Sequence, residues 1–249
     1  MNCPIVLQSE DCASAWANAV LALKSNSWDA WNMVITITKP CKEDPIAFSR
    51  LTAFAEEHGL ITPKHVRHTI FPYQWYKGPA AKERMYKHYN YFYKRSRKMK
   101  HHGWGTYFKR MISYRTKDGE EFDQLENIII HIRKRKNTYK ASDIMIIPEV
   151  GSELNKLRGA PCLNYVAVQA EKTETSKRIN LLAVYRNHDF RERAYGNYLG
   201  LCSLLSYICQ ETNSDVGYVT CVSSHAFVPN NKGELYNIAR DILGESNNE

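Results

Sequence analysis

Residues 185–210 read YRNHDFRERAYGNYLGLCSLLSYICQ, and two unlike segments meet inside them. The first is polar and dense in charge, with Arg186, Asp189, Arg191, Glu192 and Arg193 within eight positions. From Tyr195 to Gln210 the chain is almost wholly apolar, which predicts a helix buried on all sides. Segments rich in β-branched residues flank it. Asp143–Ile147, Leu163–Ala170 and Ile179–Tyr185 precede it and Gly217–Val222 follows, and each predicts a strand.

Further out, helices and strands mix without strict alternation. Ser14–Lys24 carries Trp16, Val20 and Leu23 at helical spacing, with Asp11 or Ser14 as its cap. Asn32–Thr38 predicts a strand. Pro45–His58 predicts a helix opened by its proline and stopped by Gly59. Residues 61–80, with Pro63, Pro72, Gly78 and Pro79, are expected to be irregular, and 80–100 helical and basic. Met111–Tyr114 predicts a strand ending at the turn Lys117-Asp118-Gly119. Phe122–Arg135 and Glu234–Leu243 predict amphipathic helices, and residues 244–249 a frayed tail. The class is α+β, a mixed sheet packed with helices in one domain over residues 1–249.

Composition narrows the function. The chain has 249 residues, 43% of them apolar and 12% aromatic, which suits one large core and excludes a disordered chain. No apolar run approaches the ~18 residues of a membrane span, and the first residues lack a secretory pattern. The expectation is a soluble, cytoplasmic protein with no membrane partner. Seven cysteines, without CxxC or zinc-like spacing, predict free thiols and no metal site. Net charge is +8, and from Lys77 to Arg110 eleven Lys/Arg face a single acid, Glu83. Ten aromatics from Trp75 to Phe108 thread the same region. That mixture fits an anionic partner, nucleotide or nucleic acid, or else a solvated helix face with its rings packed beneath.

Four short blocks in order carry chemistry. SELNKLRGAPC ends in Pro161-Cys162, and YRNHDFRERAYGN holds Arg186, Asn187, Asp189 and, eight residues on, Asn197. VSSHAF holds Ser223 and His225, and GWGTYFKR with DGEEFDQLENII holds Trp104, Arg110 and Asp123-Gln124-Leu125. Over about residues 103–230 this arrangement resembles the thymidylate synthase family, as a divergent member; residues 1–100 match only in element order.

The resemblance implies a thymidylate synthase-like fold, a two-fold dimer with the sheet at its interface, and transfer of a methyl or hydroxymethyl group to C5 of a uracil-type nucleotide. It implies 5,10-methylenetetrahydrofolate as one-carbon donor. Cys162 would add to C6, because C4=O drains the C5–C6 double bond and a thiolate is the nucleophile suited to it. Arg186 would keep the thiolate and hold phosphate. Asp189 would orient the base, Asn197 would meet O4 and N3–H, and His225 would reach the sugar. Asn187, Ser223 and Trp104 would complete the substrate contacts. The family's paired phosphate arginines align near Ser142-Asp143, leaving Lys140 and Arg110 as candidate phosphate cations. Glu56 and Glu57 are candidates for the general base. The competing reading is an altered member that binds nucleotide or nucleic acid, serving specialised metabolism or phage defence.

Overall fold

The computed structural model describes residues 4–96, 105–116, 118–135, 139–149, 151–153, 156 and 159–245. Its centre is a seven-stranded mixed sheet built from β1 (Ile5–Ser9), β2 (Asp29–Ile37), β5 (Asp143–Ile146), β6 (Leu163–Lys172), β7 (Lys177–Tyr185), β8 (His188–Asp189) and β9 (Asp215–Phe227). The order is β1-β2-β9-β7-β6-β5, with β8 beside β9. The β1–β2, β7–β9 and β8–β9 pairs are parallel, and the β2–β9, β6–β7 and β5–β6 pairs antiparallel. A separate hairpin joins β3 (Tyr114–Arg115) to β4 (Glu121–Phe122). The expected α+β class is what forms.

Strand alternation separates the two faces of the sheet. Met33, Ile35 and Ile37 of β2 and Ile179, Leu181, Ala183 and Tyr185 of β7 are buried in the core. The intervening Val34, Thr36, Leu182, Val184, Thr220 and Val222 are half-buried on the other face, where Thr36 and Thr220 share a 3.1 Å hydroxyl contact. Helix α1 (Cys12–Ser25) packs on β1 and β2, opened by a reciprocal cap between Asp11 and Ser14. Helix α7 (Ala194–Thr212) is the expected buried helix and lies against β7 and β9. Helix α2 (Pro45–Glu57) ends as expected, with Gly59 at φ +63°. Helix α8 (Lys232–Ile242) packs on α1. No helix among the described residues is long and apolar enough to cross a membrane.

Three expectations fail locally. Residues 61–80 contain helix α3 (Pro63–Ile70): Pro63 opens it, and Val66 and Ile70, one turn apart, are buried against α7. A proline there is a start signal, not a breaker. Met111–Tyr114 is mostly helical: α5 (Tyr107–Ile112) is capped by Thr106 and buries Tyr107, Phe108, Met111 and Ile112. The aromatic pair one turn before Met111 gives the helical period that a four-residue window misses. The basic α4 (Lys82–Ser96) forms as expected, whereas α6 begins at Gln124 (Gln124–Lys134), since Asp123 is its cap and Glu121–Phe122 is strand.

Candidate active site

The sheet's register assembles the site. β6 and β7 pair Leu163 with Tyr185, so Cys162 and Arg186 sit side by side, and Arg186 N donates to Cys162 O at 2.9 Å. Parallel pairing of β7 with β9 sets Tyr185 beside Ser223, and β8 on β9 sets His188 beside Ala226. The chain then turns at Asp189 into α7, whose first turn carries Asn197. Residues far apart in sequence thus meet at one end of the sheet.

They enclose a cavity of about 170 Å³ lined by Cys162, Asn187, His188, Asp189, Arg193 and Asn197, with Val66, Thr69 and Tyr107 among its walls. Its walls depend on α3 approaching α7. A Cβ on Gly196 would stand 2.5 Å from Val66 Cβ, so only glycine lets the helices come this close. That volume is smaller than a drug-sized pocket and suits a small ring system.

Cys162 is half-buried at the mouth. Burial pushes its thiol above the ordinary value, against the opposing pull of Arg186 and then Arg193. The arginine beside the sulfur therefore offsets desolvation without overcoming it, and the thiol is protonated at neutral pH. Arg186 also donates to Lys156 O at 2.7 Å and Ala160 O at 3.4 Å, tying down the loop that leads into the cysteine. Asp189 accepts from the Arg191 and Glu192 amides at 2.7 and 3.2 Å, yet burial raises its carboxyl. It is the carboxylate of this cavity; Glu57 lies elsewhere, grouped with His58 and Glu234, and neither it nor Glu56 lines the cavity.

Other expected residues scatter around this centre. Asn197 is buried, with Nδ2 3.0 Å from His188 Nε2, and Ser223 Oγ is 2.8 Å from His188 Nδ1. His225 stands at the rim, with Nδ1 2.7 Å from Asn187 Oδ1 and Nε2 2.8 Å from Asp29 Oδ2, its ring stacked on Phe227. Both its nitrogens are engaged by side chains before any sugar arrives. Arg110 is outside the cavity, gripped by Glu153 at 2.6 and 2.8 Å and bonded to Ile147 O at 3.2 Å. Lys140 is exposed before β5 and lines no cavity described here, and Asp143, where a phosphate arginine aligns, is an acid paired with Arg135 at 2.6 Å. Trp104 lies outside the described residues. The sequence reading missed His188, Arg193 and Tyr107 as cavity residues. The first two stood in the quoted charged run, where their kind already hinted at chemistry; nothing local singled out Tyr107.

An adjoining cavity of about 220 Å³ shares Thr69 and is lined by His65, His68, Trp75, Phe92 and Tyr93. Trp75 meets His68 and His88 edge-on, each at 4.4 Å. The neighbouring α4 divides the basic region in two. Met85 and Tyr89 are buried, and Lys82 is paired with Glu126 at 2.8 Å, as in the solvated-face reading. Arg84, Lys87, Lys94 and Arg95 are exposed and form no ion pair among the described residues, with Tyr91 59% and Phe92 44% exposed beside them.

No family model matches this sequence. Three proteins do, each named "putative thymidylate synthase". The one from Methanosarcina mazei is 27% identical over 138 residues, 55% of this chain and 58% of that protein. Those from Methanosarcina acetivorans and Methanosarcina barkeri are each 26% identical, over 138 and 123 residues, the latter covering 52% of its protein. The match thus spans little more than half the length of these relatives. Over about half its length this chain is thus similar to proteins named putative thymidylate synthase, in agreement with the ordered sequence blocks.

Proposed function

We propose that the protein modifies C5 of a uracil-type nucleotide through a covalent bond from Cys162 to C6. The observation that carries this reading is the convergence of Cys162, Asp189, Arg193 and Asn197 on one small cavity, with Arg186 beside the sulfur. The Cys162 thiol must lose its proton as the S–C6 bond forms. The C5–C6 electron pair then moves toward O4, and C5 becomes nucleophilic. Arg186 and Arg193 favour the thiolate in this step, and the Asn197 amide offers a donor and an acceptor to the base edge. Asp189, the carboxylate that lines this cavity and whose carboxyl burial raises, is the group placed to exchange a proton here.

Methylenetetrahydrofolate fits the adjoining slot in kind: Trp75, His68, Phe92 and Tyr93 offer flat faces and edges to a fused heteroaromatic ring next to the cysteine cavity. When bound it supplies the one-carbon unit; hydride or water capture decides between a methyl and a hydroxymethyl product. The half-buried outer face of the sheet supports a two-fold dimer. The test is release of tritium from C5 of labelled 2′-deoxyuridine monophosphate in the presence of the folate. Release that disappears in Cys162→Ser supports the proposal, and absence of release in the wild type rejects it.

One observation favours a second reading. The exposed cations and rings of α4 suit a single-stranded nucleic acid, phosphates on Arg84, Lys87 and Lys94 and bases on Tyr91, which Arg95 already overlies at 4.9 Å, and on Phe92. That reading requires salt-sensitive binding to an oligonucleotide that survives Cys162→Ser and is weakened by Lys87→Glu.

A further inference from the structure

His188 is 1% exposed and sits where β8 crosses the end of the sheet. Its ring lies flat on Tyr185, with centroids 4.2 Å apart and planes 4° from parallel, and meets Tyr198 edge-on at 5.8 Å. Packing therefore fixes the ring plane. Each nitrogen has a single partner: Nδ1 faces Ser223 Oγ at 2.8 Å and Nε2 faces Asn197 Nδ2 at 3.0 Å. Burial holds the imidazole neutral, with its pKa lowered to about 3. A neutral ring has one donor and one acceptor, so its proton position and the orientation of Asn197 are linked.

We propose that His188 is a positioning residue that locks the Asn197 amide in one orientation and thereby selects a uracil-type edge over a cytosine-type edge. This rests on the pyrimidine reading above. An amide nitrogen can only donate, so Nε2 accepts and the imidazole proton sits on Nδ1, donated to Ser223 Oγ. The Ser223 hydroxyl then acts as acceptor toward the ring, with its own hydrogen turned away from Nδ1. With one amide hydrogen held by His188, Asn197 presents its other N–H and its carbonyl to the cavity. Uracil offers an acceptor at O4 and a donor at N3; cytosine offers the reverse, a donor at N4 and an acceptor at N3. To serve cytosine the amide must turn over, placing its oxygen against the Nε2 lone pair. That requires the imidazole proton to move to Nε2 and the Ser223 hydroxyl to turn round. The locked amide meets one base with two hydrogen bonds and sets like groups against each other in the other.

The test is calorimetric binding of 2′-deoxyuridine and 2′-deoxycytidine monophosphates to the wild type, His188→Phe and Ser223→Ala. The wild type is expected to prefer the uracil nucleotide by roughly 10²-fold, the scale of two mismatched buried groups. Phenylalanine keeps the stack on Tyr185 but frees the amide to rotate, so the preference falls below about tenfold, mainly through a gain for cytosine. Ser223→Ala, which removes only the hydroxyl that holds the tautomer, shifts the ratio in the same direction. It carries the test if circular dichroism shows His188→Phe unfolded. A merely structural role would weaken both nucleotides alike, and an unchanged ratio in the folded variants overturns the proposal. Equal binding of both nucleotides by the wild type refutes the lock alone. Binding of neither removes the pyrimidine reading and the lock with it.

Discussion

Replacing Gly196 with alanine should move a wall of the cysteine cavity, and the cost can be worked from the coordinates. The new Cβ would lie 2.5 Å from Val66 Cβ, 2.8 Å from Val66 Cγ1 and 2.9 Å from the Pro63 carbonyl oxygen. Ordinary contact begins near 3.4 Å, so α3 would have to recede by about 0.9 Å, and the backbone oxygen cannot swing aside as a side chain can. Overpacking of this kind costs about 1–3 kcal/mol. Alanine in a helix returns up to about 1 kcal/mol, and with that full return the net loss is about 0–2 kcal/mol. Gly200→Ala meets Ile70 Cβ at 2.8 Å and the Arg67 oxygen at 3.1 Å, and should fall between. Gly233→Ala in α8 meets nothing within 4 Å and should be neutral or about 0.4–1 kcal/mol more stable. Urea unfolding ranks the three. Because Val66 lines the cavity, the alkylation rate of Cys162 should change in Gly196→Ala and not in Gly233→Ala. If Gly196→Ala is as stable as Gly233→Ala, the α3–α7 contact is not what shapes the site.

Other outcomes follow from charge and burial. Alkylation of Cys162 by iodoacetamide should rise steeply only on the alkaline side of neutrality, and Arg186→Ala should move that rise to higher pH, since it removes the largest influence favouring the thiolate; an unchanged profile would place the guanidinium too far from the sulfur. His188 takes no proton in the fold until about pH 3, whereas the unfolded chain takes it near 6.5, so acid favours unfolding between these values. Over that window stability should fall by up to about 1.4 kcal/mol per pH unit from this group, and His188→Phe should flatten the slope of urea stability against pH. Arg110→Ala strands Glu153, whose side chain is 12% exposed, and should cost about 3 kcal/mol, or roughly 6–12 °C in Tm. Lys39→Ala breaks a pair exposed at 60% and 54% and should leave the urea unfolding curve unchanged.

Much of this was readable in the residues. The apolar run from Tyr195 to Gln210 names the buried helix because among the described residues no other helix hides so many apolar side chains together. The strands from Leu163 to Tyr185 follow from β-branched composition, and their pairing carries Cys162 to Arg186. What escaped was set by neighbours. Pro63 reads as a breaker until Thr62 in front of it and buried Val66 behind it make it a helix start. His188 looks like an ordinary residue between Asn187 and Asp189 until β9 and α7 supply its two partners. Arg110 looks like a free phosphate ligand until Glu153, forty-three residues away, closes on it. One-dimensional patterns report the period of burial; they do not report which polar groups a fold uses up on one another.

The central claim concerns the sulfur of Cys162, and mass spectrometry of the intact protein addresses it most directly. After incubation with 5-fluoro-2′-deoxyuridine monophosphate and methylenetetrahydrofolate, the account predicts a covalent adduct that maps by proteolysis to the peptide containing Cys162 and is absent in Cys162→Ser. No adduct, or one mapped to another cysteine, would contradict it.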